Sequence, residues 1–180
     1  DIKFSIIEGK QYKINEIEIY GNNIFPTYYI VELLDQYNND IFNPIKLNAA
    51  LKSIKYEYLD RGKALIDIVD EVYKENGKIN IRINISEGNT FYIGEININS
   101  SKLINEEHVY RELLFKRGDQ YNYSNIIKSQ KRIYTSNVFS SVEIKKNIDK
   151  SNKMVNIVIK VRKGESGNII GEFGFGQTPS

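Results

Sequence analysis

EGKQYKINEIEIYGN at residues 8–22 and EGNTFYIGEININSS at residues 87–101 are two versions of one segment, and their recurrence decides the fold. In each, Glu-Gly leads into a run where apolar and polar residues alternate, with Ile17 and Ile19 in the first copy and Ile96 and Ile98 in the second. A period of two places those isoleucines on one face of a β-strand. From Glu8 to Glu87 is 79 residues, longer than a solenoid repeat and suited to one small domain. The 180-residue chain therefore reads as two units of like build.

Outward from the first copy, Gly21-Asn22-Asn23 makes a turn, and Pro26 suits the first turn of a helix because its missing N–H costs nothing there. Ile30, Leu33, Leu34 and Tyr37 recur at helical spacing until Asn38-Asn39-Asp40. A second helix opens at Asn43-Pro44 with Leu47, Leu51, Ile54 and Tyr58-Leu59 as its inward stripe, and Gly62 supplies a left-handed cap. Leu65–Tyr73 reads as a strand. Asn76-Gly77 signals a tight hairpin, after which Ile79, Ile81, Ile83 and Ile85 alternate with Asn80, Arg82 and Asn84.

The second unit repeats the order. A strand at Tyr92–Asn99 precedes a helix at Glu106–Phe115 using Val109, Leu113 and Leu114, and a second helix uses Ile126, Ile127, Ile133 and Tyr134. Asn137 stands where the first unit has Gly62, in keeping with asparagine's tolerance of the left-handed conformation. Strands at Val142–Asn147 and Val155–Val161 close the unit. A helical hairpin returns the chain to the end it left, so the second strand runs antiparallel to the first and the third lies between them. The expectation is an α+β fold of two tandem β-α-α-β-β domains, each a three-stranded mixed sheet with two helices packed on one face and the first and second strands as edges.

Bulk composition limits function. Lys+Arg 25 against Asp+Glu 23 gives a net charge of +2, which lacks the basic stripe that nucleic acid selects. Charged residues at 27% and hydrophobic residues at 41% are those of a folding domain. Cysteine is absent, which removes thiol nucleophiles and thiolate metal sites. No stretch approaches the roughly 18 apolar residues of a membrane-spanning helix. The chain starts inside a strand-like alternation without a signal sequence, as a piece of a longer protein would.

These residues resemble the POTRA domains of the Omp85 family. The resemblance rests on Tyr12-x-Ile14-x-x-Ile17-x-Ile19-x-Gly21-Asn22, Asn43-Pro44, Asp60-Arg61-Gly62 and Glu87-Gly88, and in the second unit on Arg117-Gly118-Asp119-Gln120-Tyr121 between the helices. Ser100-Ser101 departs from the usual Gly-Asn. Gly167–Gly176, where Phe alternates with Gly, is similar to the first strand of the β-barrel that follows the last such domain. Ile2, Phe4 and Ile6 resemble the last strand of a preceding unit. The expected division is a strand remnant at 1–9, domains at 10–88 and 89–165, the second membrane-proximal, and the start of a barrel strand at 166–180.

The resemblance implies the periplasmic arm of an outer-membrane β-barrel assembly factor, with unfolded outer-membrane proteins and accessory assembly lipoproteins as partners and the outer membrane reached through the missing barrel. Two other readings share the module: a two-partner-secretion or autotransporter-type transporter, and a cell-division scaffold. Neither a cofactor nor a small-molecule substrate is implied. An enzyme would need converging titratable groups. The single histidine, His108, lies among Glu106, Glu107 and Tyr110, and Ser5, Ser53, Ser86 and Ser124 lack a nucleophile-elbow context, with Ser124 better explained as a helix cap. Gly171, Gly174 and Gly176 lack the Lys-Ser/Thr of a phosphate loop. Most of the tyrosines read as core edge or surface.

The expected working surface is main chain. An edge strand can pair with an extended client whatever its side chains, which is strand addition to a sheet. The candidate edges are Ile66, Asp67, Ile68, Val69, Asp70, Glu71, Val72 and Tyr73 in the first unit, and Ser141, Val142, Glu143, Ile144, Lys145, Lys146, Asn147 and Ile148 in the second. Asp67, Asp70 and Glu71 fit equally as charges that discourage uncontrolled strand pairing.

Overall fold

The computed structural model describes residues 10–35, 41–100, 105–136 and 138–163. In chain order the elements are β1 (Ile14–Tyr20), α1 (Thr27–Asp35), α2 (Pro44–Asp60), β2 (Asp67–Glu75), β3 (Lys78–Ser86), β4 (Tyr92–Asn99), α3 (Glu106–Glu112), α4 (Tyr123–Thr135), β5 (Phe139–Asp149) and β6 (Met154–Lys163). They form two sheets of three strands, ordered β1-β3-β2 and β4-β6-β5. In each the last strand sits centrally, parallel to the first and antiparallel to the second, as the helical-hairpin argument requires. Contacts group the residues into two compact units, one around each sheet. Residues 56–65, the last turn of α2 and the connection after it, group with the second.

In the first unit Ile79, Ile81, Ile83 and Ile85 of β3 are buried, as are Ile30 and Leu34 of α1 and Leu47, Leu51 and Ile54 of α2. The other face of the sheet is polar and cross-linked. Arg82 donates to Glu18 at 2.9 Å and lies 3.7 Å from Glu71, while Asn80 bonds both Asn15 and Glu75. The Glu-Gly at the end of this unit has a physical role: the buried Glu87 carboxylate accepts the Asn23 and Ile24 N–H groups, closing the turn after β1. Gly21 lies in that turn with φ +82°, and a Cβ on it would run into the Ile85 carbonyl.

Helix starts follow the sequence signals. Asn43 Oδ1 accepts from Ile45 and Lys46 N–H at 3.0 and 3.2 Å, with Pro44 as the first helical residue. Gly62 takes the left-handed conformation expected of it, φ +82°. In the second unit Ile93, Val109, Ile133, Ile157 and Ile159 are wholly buried in one core with Phe91 and Tyr121.

The structure alters several expectations. The second strand starts at Asp67 rather than Leu65, because Ala64 and Leu65 still belong to the turn after Gly62, and the buried Ile66 leads from it into the strand. The third helix stops at Glu112, three residues early: Leu113 is extended, and the Leu114 N–H is taken by Ser129 Oγ at 2.8 Å. That lets Phe115 bury while Leu114 stays exposed. Ser124 is not the cap of α4. Asn122 is, its Oδ1 accepting from Asn125 N–H, while Ser124 N–H and Oγ both donate to the Asp60 carboxylate within the same unit. The readings made on residues 1–9, Tyr37–Asp40, Ser101, Asn137 and 164–180 lie outside the described residues.

Candidate functional site

Which main-chain groups of β2 are free follows from its hairpin. Asn76 and Gly77 have φ +50° and +78°, a two-residue type I′ turn, so the flanking Glu75 and Lys78 form a hydrogen-bonded pair. Bonded and non-bonded pairs then alternate along the ladder. Tyr73, Glu71, Val69 and Asp67 bond back to β3, and Lys74, Val72, Asp70 and Ile68 direct N–H and C=O away from it. Nothing among the described residues pairs with that outer side of β2, the strand at the end of its sheet. Of the candidates, Ile66 precedes the strand, and the other seven lie on it.

The side chains along this edge are mostly exposed, with Val69 at 51% and Val72 and Tyr73 near 40%. The four outward residues stand opposite Ile79, Ile81, Ile83 and Ile85, so their side chains share the helix-facing side of the sheet. Asp70 is therefore a carboxylate between Ile68 and Val72 on that side. Lys74 sits over the Tyr12 ring, 4.1 Å from its centroid, and donates to its hydroxyl.

The edge at β5 is only partly open. Gln130 of α4 donates from Nε2 to the Val142 carbonyl at 3.0 Å in a buried bond. This marks Val142 as facing away from β6, and by alternation Ile144, Lys146 and Ile148 as the remaining outward residues. Lys146 as a whole residue is exposed, but its ammonium lies 4.9 Å from the Tyr123 ring and 3.3 Å from the Tyr121 hydroxyl. That local desolvation lowers the Lys146 pKa, and burial raises that of Tyr121. Glu143 and Lys145 pair at 3.3 Å, and Asn147 and Ile148 are exposed. All eight candidates lie on β5, yet α4 covers the end that holds Ser141 and Val142.

Sequence reasoning missed two closures. The first was Gln130, whose signal was a polar residue in the buried stripe of Ile126 and Ile133. The second concerns the first strands. The link between helices folds back beside the start of each, pairing Lys13 with Ile41 and Tyr92 with Gln120. Gly118 N–H donates to the Ile93 carbonyl, and Ile93 and Tyr121 N–H to those of Asp119 and Phe91, which explains the Arg117–Tyr121 motif. Beyond this closure, β4 and α3 flank a groove of about 750 Å³ lined by Ile96, Tyr110, Leu113, Leu114, Lys116 and Arg117.

His108 is exposed on α3, and among the described residues no three His, Cys, Asp or Glu side chains converge to hold a metal. No helix among them is long and apolar enough to cross a membrane.

Two β-α-α-β-β modules in tandem, each with its last strand in the middle of a mixed sheet, define a class of small repeated domains. The POTRA family profile, described as surface antigen variable number repeat, matches residues 12–88 and again 91–164, and the chain belongs to that family. It is 27% identical to the outer membrane protein assembly factor BamA of Buchnera aphidicola, covering 87% of this chain and 28% of that protein. To BamA of Nitratidesulfovibrio vulgaris it is 23% identical, covering 97% of this chain and 23% of that protein. The chain thus spans about a quarter of the curated relatives' length. The crystal structure of Haemophilus influenzae BamA POTRA3-5 superposes with a TM-score of 0.73 at 20% identity, over 87% of this chain and 63% of that one, which shows the shared fold.

Proposed function

We propose that this chain is the periplasmic arm of an outer-membrane β-barrel assembly factor, holding unfolded client strands on its sheet edges. In this reading 10–88 and 89–165 are its two modules. Unfolded outer-membrane proteins are its clients, accessory assembly lipoproteins its helpers, and a barrel beyond this chain its anchor. The supporting observation is the outer side of β2, unpaired among the described residues, with four successive outward residues from Ile68 to Lys74. Main-chain pairing is indifferent to client sequence, which suits a receptor for many strands. Each bond returns only about 0.5–1.5 kcal/mol against about 1–2 kcal/mol to order each client residue, so clients are held weakly and can be released.

The test uses proline, which lacks the N–H a partner strand needs. Ile68→Pro removes an outward donor and leaves the β3 ladder intact; Val69→Pro breaks a bond to β3 and serves as the destabilised control. Photo-cross-linking of an unfolded outer-membrane protein to β2 should fall several-fold in Ile68→Pro at unchanged thermal stability. Undiminished cross-linking in a folded Ile68→Pro chain would refute the edge as receptor.

A further inference from the structure

We propose that the β2 edge selects among extended segments by charge, favouring those that carry lysine or arginine flanked by apolar residues two positions away on each side. The proposal rests on the strand-addition reading above and adds a client class to it.

The argument starts from the pairing geometry. A strand added to β2 bonds to Ile68, Asp70, Val72 and Lys74, and residues bonded directly across stand about 5.5 Å apart at Cα. The residue opposite Asp70 therefore projects to the helix-facing side, beside the Asp70 carboxylate. Its neighbours two positions away meet Ile68 and Val72. Opposite-charge pairs across strands stabilise and like charges destabilise, so a basic residue is favoured at the centre and apolar residues around it.

The remaining charges act in the same sense. Asp67, Asp70, Glu71 and Glu75 lie on β2 against the single cation Lys74, which is turned onto Tyr12. Among the described residues neither Asp67 nor Asp70 has a cation within ion-pair distance, and Glu71 lies 3.7 Å from an arginine that Glu18 holds more closely. The β5 edge differs: Glu143 is paired with Lys145, and Lys146 adds an ammonium. A second copy of this chain is a poor occupant of β2, since self-pairing would set one row of carboxylates against another.

The experiment titrates the whole chain with synthetic peptides of about nine residues, the length of a barrel-spanning strand. They alternate apolar and polar residues and differ only in carrying lysine, leucine or glutamate at the centre. β2 amide shifts are followed by NMR. The lysine peptide should bind on the order of five-fold more tightly than the glutamate peptide at low salt, a preference that narrows as salt screens it. Asp70→Lys should reverse the order. Equal affinities, with both peptides lost in Ile68→Pro, would overturn charge selection while leaving strand addition standing. If no peptide shifts the β2 amides, strand addition falls and charge selection with it. Shifts that depend on protein concentration without peptide would assign the edge to self-pairing and overturn the proposal.

Discussion

At the residue scale the second unit contains a pH-sensitive contact. Burial holds the Tyr121 hydroxyl in its protonated form above tyrosine's ordinary value of about 10, with Tyr123 and Asp60 acting in the same sense. Its folded pKa exceeds its unfolded one, so the stability it contributes is fully present below about pH 10 and is lost as pH rises beyond that. Lys146 works oppositely: its lowered folded pKa means stability recovers with pH through the range just below lysine's ordinary value of about 10.4. In Tyr121→Phe the alkaline loss should flatten, which urea unfolding at a series of pH values, followed by NMR signals of the second unit, will show. An unchanged slope would mean other groups control alkaline unfolding. Tyr121 was legible in the sequence as part of the Arg117–Tyr121 motif and as one of many tyrosines, most of them read as core edge or surface. Its pairing with Lys146 joins residues 25 apart, and no local pattern announces such a contact.

At the element scale the strands and helices were legible because the periods were clean, and the isoleucine alternation of β3 fixed the buried face outright. The errors fell where a tertiary bond overrides local preference. Leu113 and Leu114 continue a helical stripe, yet Ser129 takes the next N–H and the helix ends. The edges were legible as edges, but not their degree of closure, because Gln130 reaches its carbonyl from another element. Gln130→Ala should cost about 1–3 kcal/mol by leaving the Val142 carbonyl without its donor. The same variant should raise client cross-linking at Ser141 and Glu143. Lower stability with unchanged cross-linking would mean that α4 itself, rather than the amide, keeps strands away.

At the scale of the whole chain the repeat was the most legible feature, since one small domain seen twice fixes topology better than either copy alone. The two copies nevertheless offer unequal edges, four outward residues on β2 and three left on β5. A chain with Ile68→Pro and Ile144→Pro should cross-link less client than either single variant. If Ile68→Pro alone reaches background, β5 is not a working edge.

The span of the β2 edge carries a further consequence. From Ile68 to Lys74 at about 3.4 Å per residue is roughly 20 Å, whereas a strand that crosses a bilayer needs about 9–11 residues. On the strand-addition reading proposed above, a client strand of that length would overhang by a few residues at one end or both. At those free ends a growing barrel would begin to zip onto it, displacing the old partner bond by bond, so that on this reading transfer would need no moment at which the client floats free.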